Sequence, residues 1–258
     1  MGVNAATQPI LNELMHGLRE VLAPETVGIY LYGSAVSGGF DPGVSDLDLV
    51  VLTKHAVEVL NLAGLERMHG DLERNHPEWA DRIEVVYVDK ATLGSFRTSA
   101  SMLAVISPGE PFHVTGPALD WDQNWYLVRE AGIALFGPPA ADFVPPISRS
   151  EYVAAVARYS AWLARQDLDT LSSRSLAYTV LSLCRAWCTV ETGEPCSKQD
   201  GAAWAKDRRP EWTEVIDTAL LCRMARGTTG PSDAETRSAA TRLILQLAAR
   251  VQASNQPR

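Results

Sequence analysis

The chain opens on a helical period. Ile10, Leu11, Leu14, Leu18 and Val21 recur at three- and four-residue spacing, which predicts an amphipathic helix over 8 to 22. The period then changes. Ile29 to Tyr32 is one short apolar run and Leu47 to Leu52 is another, each expected as a strand. A helical pattern returns over 55 to 74. After Asn75-His76-Pro77 comes Arg82-Ile83-Glu84-Val85-Val86-Tyr87-Val88, rich in β-branched and aromatic residues and expected as a third strand. Phe112-His113-Val114 adds a short strand. Residues 118 to 135 read as a helix ending at Leu135-Phe136-Gly137-Pro138-Pro139, where glycine followed by proline is a strong stop.

Beyond this point no strand pattern appears. Residues 137 to 148 hold four prolines and little periodicity, and are read as a linker. Helices are expected from Ser150-Glu151 to about Gln166, from Ser175 to Val190, from Ser197 through Lys206 with Asp200 completing a cap, over 211 to 225, and over 232 to 252 behind Ser232-Asp233. The fold class is therefore α+β. A mixed sheet with helices over 1 to 140 precedes an α-helical bundle over 149 to 258.

The chemistry concentrates where the first two strands meet. Gly33-Ser34 follows the first apolar run, and Asp46-Leu47-Asp48 leads into the second. Strand residues two apart share a face, so Asp46 and Asp48 project side by side while Leu47 and Leu49 point to the core. Two such carboxylates repel unless a cation sits between them. Mg²⁺ suits the role, accepting one or two carboxylates together with substrate phosphate oxygens. Gly33 allows close approach of backbone to a phosphate, and Ser34 adds a hydroxyl. Glu84 is the candidate third acid, as metal ligand or as the base that takes a proton. The same position also reads as a half-exposed strand residue paired with Arg82.

Composition narrows the partners. The chain has 258 residues, 46% of them apolar, and a formal net charge of −8. That balance argues against a general nucleic-acid binder. The four cysteines lack zinc-like spacing, and all five histidines lie at or before His113, so buried thiols are expected. No apolar run reaches the ~18 residues of a membrane span, and the N-terminus lacks a signal pattern. A cytoplasmic monomer, bound to neither membrane nor nucleic acid, is the expectation.

The Gly-Ser…Asp-x-Asp constellation resembles the nucleotidyltransferase signature, and the likeness narrows along the chain. Leu31-Tyr32-Gly33-Ser34-Ala35-Val36 with Gly38-Gly39, Ser45-Asp46-Leu47-Asp48-Leu49 and Ile83-Glu84-Val85 are similar to the streptomycin/spectinomycin-type aminoglycoside (3'')(9) adenylyltransferases. So are Arg129-Glu130, Ala134 to Pro138, Leu183-Cys184-Arg185-Ala186-Trp187, and Thr192-Gly193…Lys198…Ala202-Ala203-Trp204-Ala205. The resemblance implies a polymerase-beta-like catalytic domain and a helical substrate-binding domain. It also implies ATP as co-substrate, Mg²⁺ as cofactor, and an aminoglycoside-like acceptor that leaves as an AMP ester with release of pyrophosphate.

By the same resemblance, Asp46 and Asp48 would hold Mg²⁺, and Glu84 would be the catalytic base and possible ligand. Gly33, Ser34, Ser45, Asp46, Asp120, Arg185 and Lys198 would handle the nucleotide. From the residues alone, Asp120 also reads as a helix cap, Lys198 as an exposed lysine and Arg185 as a buried-pair arginine. Trp121 and Trp125, at i and i+4, read either as an adenine platform or as core. In the streptomycin class a tryptophan and nearby acids just before the second long helix grip the drug. Here the stretch 164 to 174 has no tryptophan, and Asp167 and Asp169 are the candidate acceptor contacts. Adenylyl transfer to another hydroxylated metabolite or to a protein, and a non-catalytic nucleotide sensor, are the alternatives.

Overall fold

The computed structural model describes residues 7–98, 102–116, 121–225 and 233–255. The chain divides into two compact units, Met1–Pro146 and Ile147–Arg258.

The first unit is built on a six-stranded mixed sheet: β1 (Thr26–Tyr32), β2 (Leu47–Thr53), β3 (Ile83–Asp89), β4 (Leu103–Ser107), β5 (Glu110–Thr115) and β6 (Ile133–Phe136). Their order in space is β5-β4-β3-β2-β1-β6. Only β2 and β3 run parallel, from Leu47 opposite Ile83 to Thr53 opposite Asp89. Such a pair needs a crossover, and the chain supplies α3 (Leu62–Asn75). Together with α1 (Gln8–Leu22) it covers one face of the sheet. Ile29, Leu31, Leu47, Leu49, Val51, Val85 and Tyr87 point into that core, joined by Leu11, Leu14, Leu18, Leu65 and Leu72. Alternation sends Tyr30, Tyr32, Asp48, Val50, Glu84 and Val86 to the opposite face. There α5 (Trp121–Ala131) packs against β1, with Trp125 and Val128 buried.

Several boundaries differ from expectation. The helix expected over 55 to 74 is split: a 3-10 turn at Val57–Val59 precedes α3, whose N-cap Asn61 accepts the Gly64 amide at 3.0 Å. An asparagine side chain that bonds the backbone locally starts a helix rather than continuing one. The helix expected over 118 to 135 stops at Ala131; after Gly132 the chain becomes β6 and pairs antiparallel with β1. The stop signal at Gly137-Pro138 thus ends a strand. Strand β4 was not foreseen, because Leu-Ala-Val-Ile does not alternate; Leu103, Ala104, Val105 and Ile106 are all buried, and periodicity carries no signal there. Trp125 is core, stacked on Trp121 with ring centroids 5.4 Å apart.

Residues 137–146 lie along the first unit. Ala140 and Val144 are buried, and the Arg129 guanidinium donates to the carbonyls of Ala141 and Val144. The second unit is helical throughout. Helices α6 (Arg149–Ala164), α8 (Lys198–Arg208), α9 (Thr213–Met224) and α10 (Ala234–Ser254) surround α7 (Ser173–Thr192), which is buried along most of its length. The caps explain the starts. Ser148 and Glu151 form a reciprocal capping box before α6, two residues earlier than expected, and Ser172, Ser197 and Asp233 cap α7, α8 and α10. Gly201 lets α8 settle directly on α7, since a side-chain carbon there would come within 2.5 Å of the Arg185 Cα.

One polar pair is sealed within the sheet core of the first unit. His69 on α3 meets the Tyr87 hydroxyl at 2.6 Å, with the Phe112 ring beside both. Burial pushes the His69 imidazole down to about 4 from an ordinary 6.5. A depressed histidine leaves stability intact above about pH 6.5 and erodes it as pH falls toward 4. Urea denaturation should show that His69→Gln removes about 2 kcal/mol of the stability loss between pH 7 and pH 5. An unchanged pH slope would contradict a neutral buried imidazole.

Candidate active site

The site starts from sheet register. Tyr32 on β1 lies opposite Asp48 on β2, and Asp48 lies opposite Glu84 on β3. The three side chains therefore form one row across adjacent strands, on the face away from α1 and α3. Asp46 sits two residues before Asp48, ahead of the strand proper. All three carboxylates are half-buried, whereas Tyr32 is closed from solvent.

Tyr32 records how closely the acids gather. Its hydroxyl donates to Glu84 Oε1 at 3.4 Å. Its phenol is held far above the ordinary tyrosine range, first by burial, then by the negative fields of Glu84 and Asp48, with the Glu84 hydrogen bond and Asp46 adding to it. A phenol kept protonated beneath two carboxylates is a donor that anchors one of them. Sequence reading missed this role. The signal was present, because the last residue of an apolar strand two positions before Ser34 was a tyrosine.

Gly33 closes the row at its open end. Its φ of +69° lies in the region that favours glycine, and a side-chain carbon there would fall on the Asp48 carboxylate. The turn thus brings bare backbone against the acid. Ser34 follows as the first residue of the short helix α2 (Ser34–Ser37) and is half-buried. Ser45 is buried and serves its own loop: its hydroxyl oxygen accepts the Asp41 amide at 2.9 Å.

Arg82 is the second residue whose part the sequence concealed. It is not a surface residue. It lies buried just before β3, donating to the Ser45 carbonyl from Nε at 3.1 Å and from Nη2 at 2.6 Å. Nη1 donates to the Glu78 carbonyl at 3.1 Å, and the guanidinium lies 4.3 Å from the Trp79 ring centroid. The residue after Ser45 is Asp46, so this fork fixes the backbone from which the first acid projects.

The remaining candidates lie in the second unit or outside the described residues. Asp120 is among the latter. Arg185 is half-buried on α7 where α8 crosses it, and Lys198 opens α8 with its Nζ 4.3 Å from the Tyr178 ring centroid. Asp167 and Asp169 are exposed in the turn between α6 and α7. That turn is tied down through its backbone, with the Asp167 carbonyl accepting from Thr170 and the Asp169 carbonyl from Arg237.

The donor set can be tested against a divalent cation. Among the described residues, no three carboxylate, imidazole or thiol groups converge as a self-sufficient metal cage. What exists is Asp48 beside Glu84 on adjacent strands, with Asp46 two residues before it and bare backbone at Gly33. Mg²⁺ bound by one or two carboxylates and completed by phosphate and water fits that arrangement; a fully protein-ligated structural metal does not.

A mixed sheet with a glycine turn against an acid row of this kind defines a nucleotidyltransferase, and residues 15–107 match the family model of the nucleotidyltransferase domain. Residues 142–250 match that of the aminoglycoside adenylyltransferase C-terminal domain. Along these segments the chain is similar to the aminoglycoside adenylyltransferases. It is 25% identical over 217 residues to a spectinomycin 9-adenylyltransferase of Staphylococcus aureus, covering 78% of this chain and 79% of that protein. To an aminoglycoside (3'') (9) adenylyltransferase of Klebsiella pneumoniae it is 26% identical over 210 residues, covering 78% of each. In fold it is similar to spectinomycin adenyltransferase AAD(9) from Enterococcus faecialis, solved with ATP and spectinomycin. The TM-score is 0.72 at 18% identity, over 95% of this chain and 99% of the other.

Removing the Arg82 fork would leave the buried Ser45 carbonyl without its charged donors. Arg82→Met should lower unfolding stability by about 3 kcal/mol. Chemical denaturation measures it, and a loss below about 0.5 kcal/mol, typical of surface substitutions, would mean that the fork holds nothing in place.

Proposed function

We propose that this enzyme transfers AMP from ATP to a hydroxyl of an aminoglycoside-type antibiotic of the streptomycin/spectinomycin class, releasing pyrophosphate and so conferring resistance. The observation that carries the reading is the register-paired Asp48 and Glu84 above Tyr32, with Gly33 against them. Residues 1–140 act as the catalytic domain and 149–258 as the acceptor-binding domain, in a cytoplasmic monomer. Among the described residues no helix is long and apolar enough to cross a membrane.

Each residue then has a part. Asp46 and Asp48 would hold Mg²⁺, which when bound offsets charge on the triphosphate oxygens. The Gly33 turn lets the phosphates approach the backbone, and the Ser34 hydroxyl donates to them. Ser34 is more accessible for this than Ser45, which is buried. Lys198 and Arg185, two of the cations of the helical unit, serve the phosphates as well.

Glu84 takes the proton of the acceptor hydroxyl as that oxygen attacks the α-phosphorus, and pyrophosphate leaves on the opposite side. The Tyr32 hydroxyl steadies the Glu84 carboxylate for this step. Asp167 and Asp169 present negative charge to a cationic acceptor, in a stretch without the tryptophan expected of the streptomycin class.

Pyrophosphate release from ATP, measured against a panel of spectinomycin, streptomycin and other aminoglycosides, tests the reading. We expect turnover with spectinomycin or streptomycin that stops on chelation and returns with Mg²⁺. Glu84→Gln should lower kcat by about 10²- to 10⁴-fold while ATP binding survives. Lost ATP binding would reassign Glu84 to holding the metal. Silence across the panel with ATP still bound would remove the antibiotic as acceptor.

A further inference from the structure

Two of the four cysteines meet away from the site described above. Cys188 lies in the last turn of α7 and is buried; Cys196 lies in the short segment leading into α8 and is half-buried. Gly193 caps α7 with φ +75° and reverses the chain. The turn carries Cys196 back over Cys188, and the two sulfurs stand 2.6 Å apart. A disulfide bond is about 2.05 Å long, so the two sulfurs need close by only about half an ångström to bond. Both thiols are free, and the other two, Cys184 and Cys222, are buried.

The surroundings keep the pair in register. Arg149 forms an ion pair with Glu194, in the middle of the reversal. Ser197 caps α8 by accepting the Asp200 amide at 3.0 Å, and Gly201 seats α8 against the backbone of α7 one turn before Cys188.

We propose that Cys188 and Cys196 are a thiol–disulfide pair, oxidised by a low-molecular-weight disulfide to a bond that staples the end of α7 to the start of α8. Cys196, the more accessible thiol, attacks one sulfur of the oxidant as its thiolate. The oxidant's S–S bond breaks, one small thiol leaves, and a mixed disulfide forms on Cys196. The Cys188 sulfur then attacks Cys196, and the second small thiol leaves. The two cysteine protons pass to the departing thiolates, so two cysteines are oxidised and one small disulfide is reduced to two thiols.

Burial, the neighbouring Cys188 and the charge of Asp200 hold the Cys196 thiol above its ordinary range, opposed only by Arg185. Attack on the oxidant is therefore slow at neutral pH. Closure of the bond within the protein is fast by comparison, because the partners are already in contact. The bond joins the segment bearing Lys198 to α7, but its formation does not depend on any role of Lys198.

The test uses the whole chain and oxidised glutathione as the probe. After equilibration, acid quench and alkylation in denaturant, intact mass should show two alkylated thiols where the reduced protein shows four. Peptide mapping should recover Cys188 and Cys196 in one linked peptide that reduction separates, and the oxidised protein should melt several degrees higher. Cys196→Ser, a change at a half-exposed turn, should keep its fold and lose the linked peptide. The proposal is overturned if all four thiols remain alkylated, if a stable glutathione adduct on Cys196 is the only product, or if the link joins other cysteines.

Discussion

Everything at the acid cluster depends on the parallel register of β2 on β3. Asp48 stands beside Glu84 because Leu47 pairs with Ile83 and every following pair obeys the same offset. Side chains alternate, so a slip of one residue would turn Asp48 into the core beneath α1 and α3 and raise Leu47 or Leu49 into water. Burying the apolar partners Leu47, Leu49, Val51, Val85 and Tyr87 thus enforces the spacing of the carboxylates. The core stabilises an arrangement that like charges would otherwise oppose.

The supporting groups act on the backbone as well as on the acids. The Arg82 guanidinium grips the Ser45 carbonyl, Ser45 in turn accepts the Asp41 amide, and the loop enters β2 already oriented. On the other side Tyr32 supplies a buried hydroxyl that meets Glu84. The chain therefore holds its acids from below by a neutral donor and from behind by a buried cation that lies outside the carboxylate row. An exposed salt bridge in the same place would be worth little and would compete with substrate for the charge.

Much of this was legible in the residues, and the exceptions share a cause. Asp48 and Glu84 stood out because polar residues interrupt apolar strands, and Asp46 because it stands two residues before Asp48 at the strand's entrance. Helices α1, α7, α8 and α10 were legible from apolar stripes and from serine or aspartate caps. Strand β4 was not, because it is buried without alternation, and neither was β6, whose four residues continue a helix-like pattern past Gly132. Arg82 looked like a surface partner of Glu84, since no sequence rule shows that a guanidinium will be buried against a carbonyl 37 residues away. Asp120 lies outside the described residues. The nearness of Cys188 and Cys196 depends on the positive φ of Gly193, a geometry the composition only hints at.

The closeness of α8 to α7 at Gly201 has a mechanical consequence. With no side chain between them, the two helices cannot slide or rotate past each other without backbone striking backbone at Arg185. They form a rigid hairpin, with Lys198 at one tip and Arg185 beneath it. Any displacement of the end of α7 is transmitted to both cations together. Two cations on elements that moved separately would shift independently of one another. Carried on one stiff lever, their backbones are fixed relative to each other once, during folding.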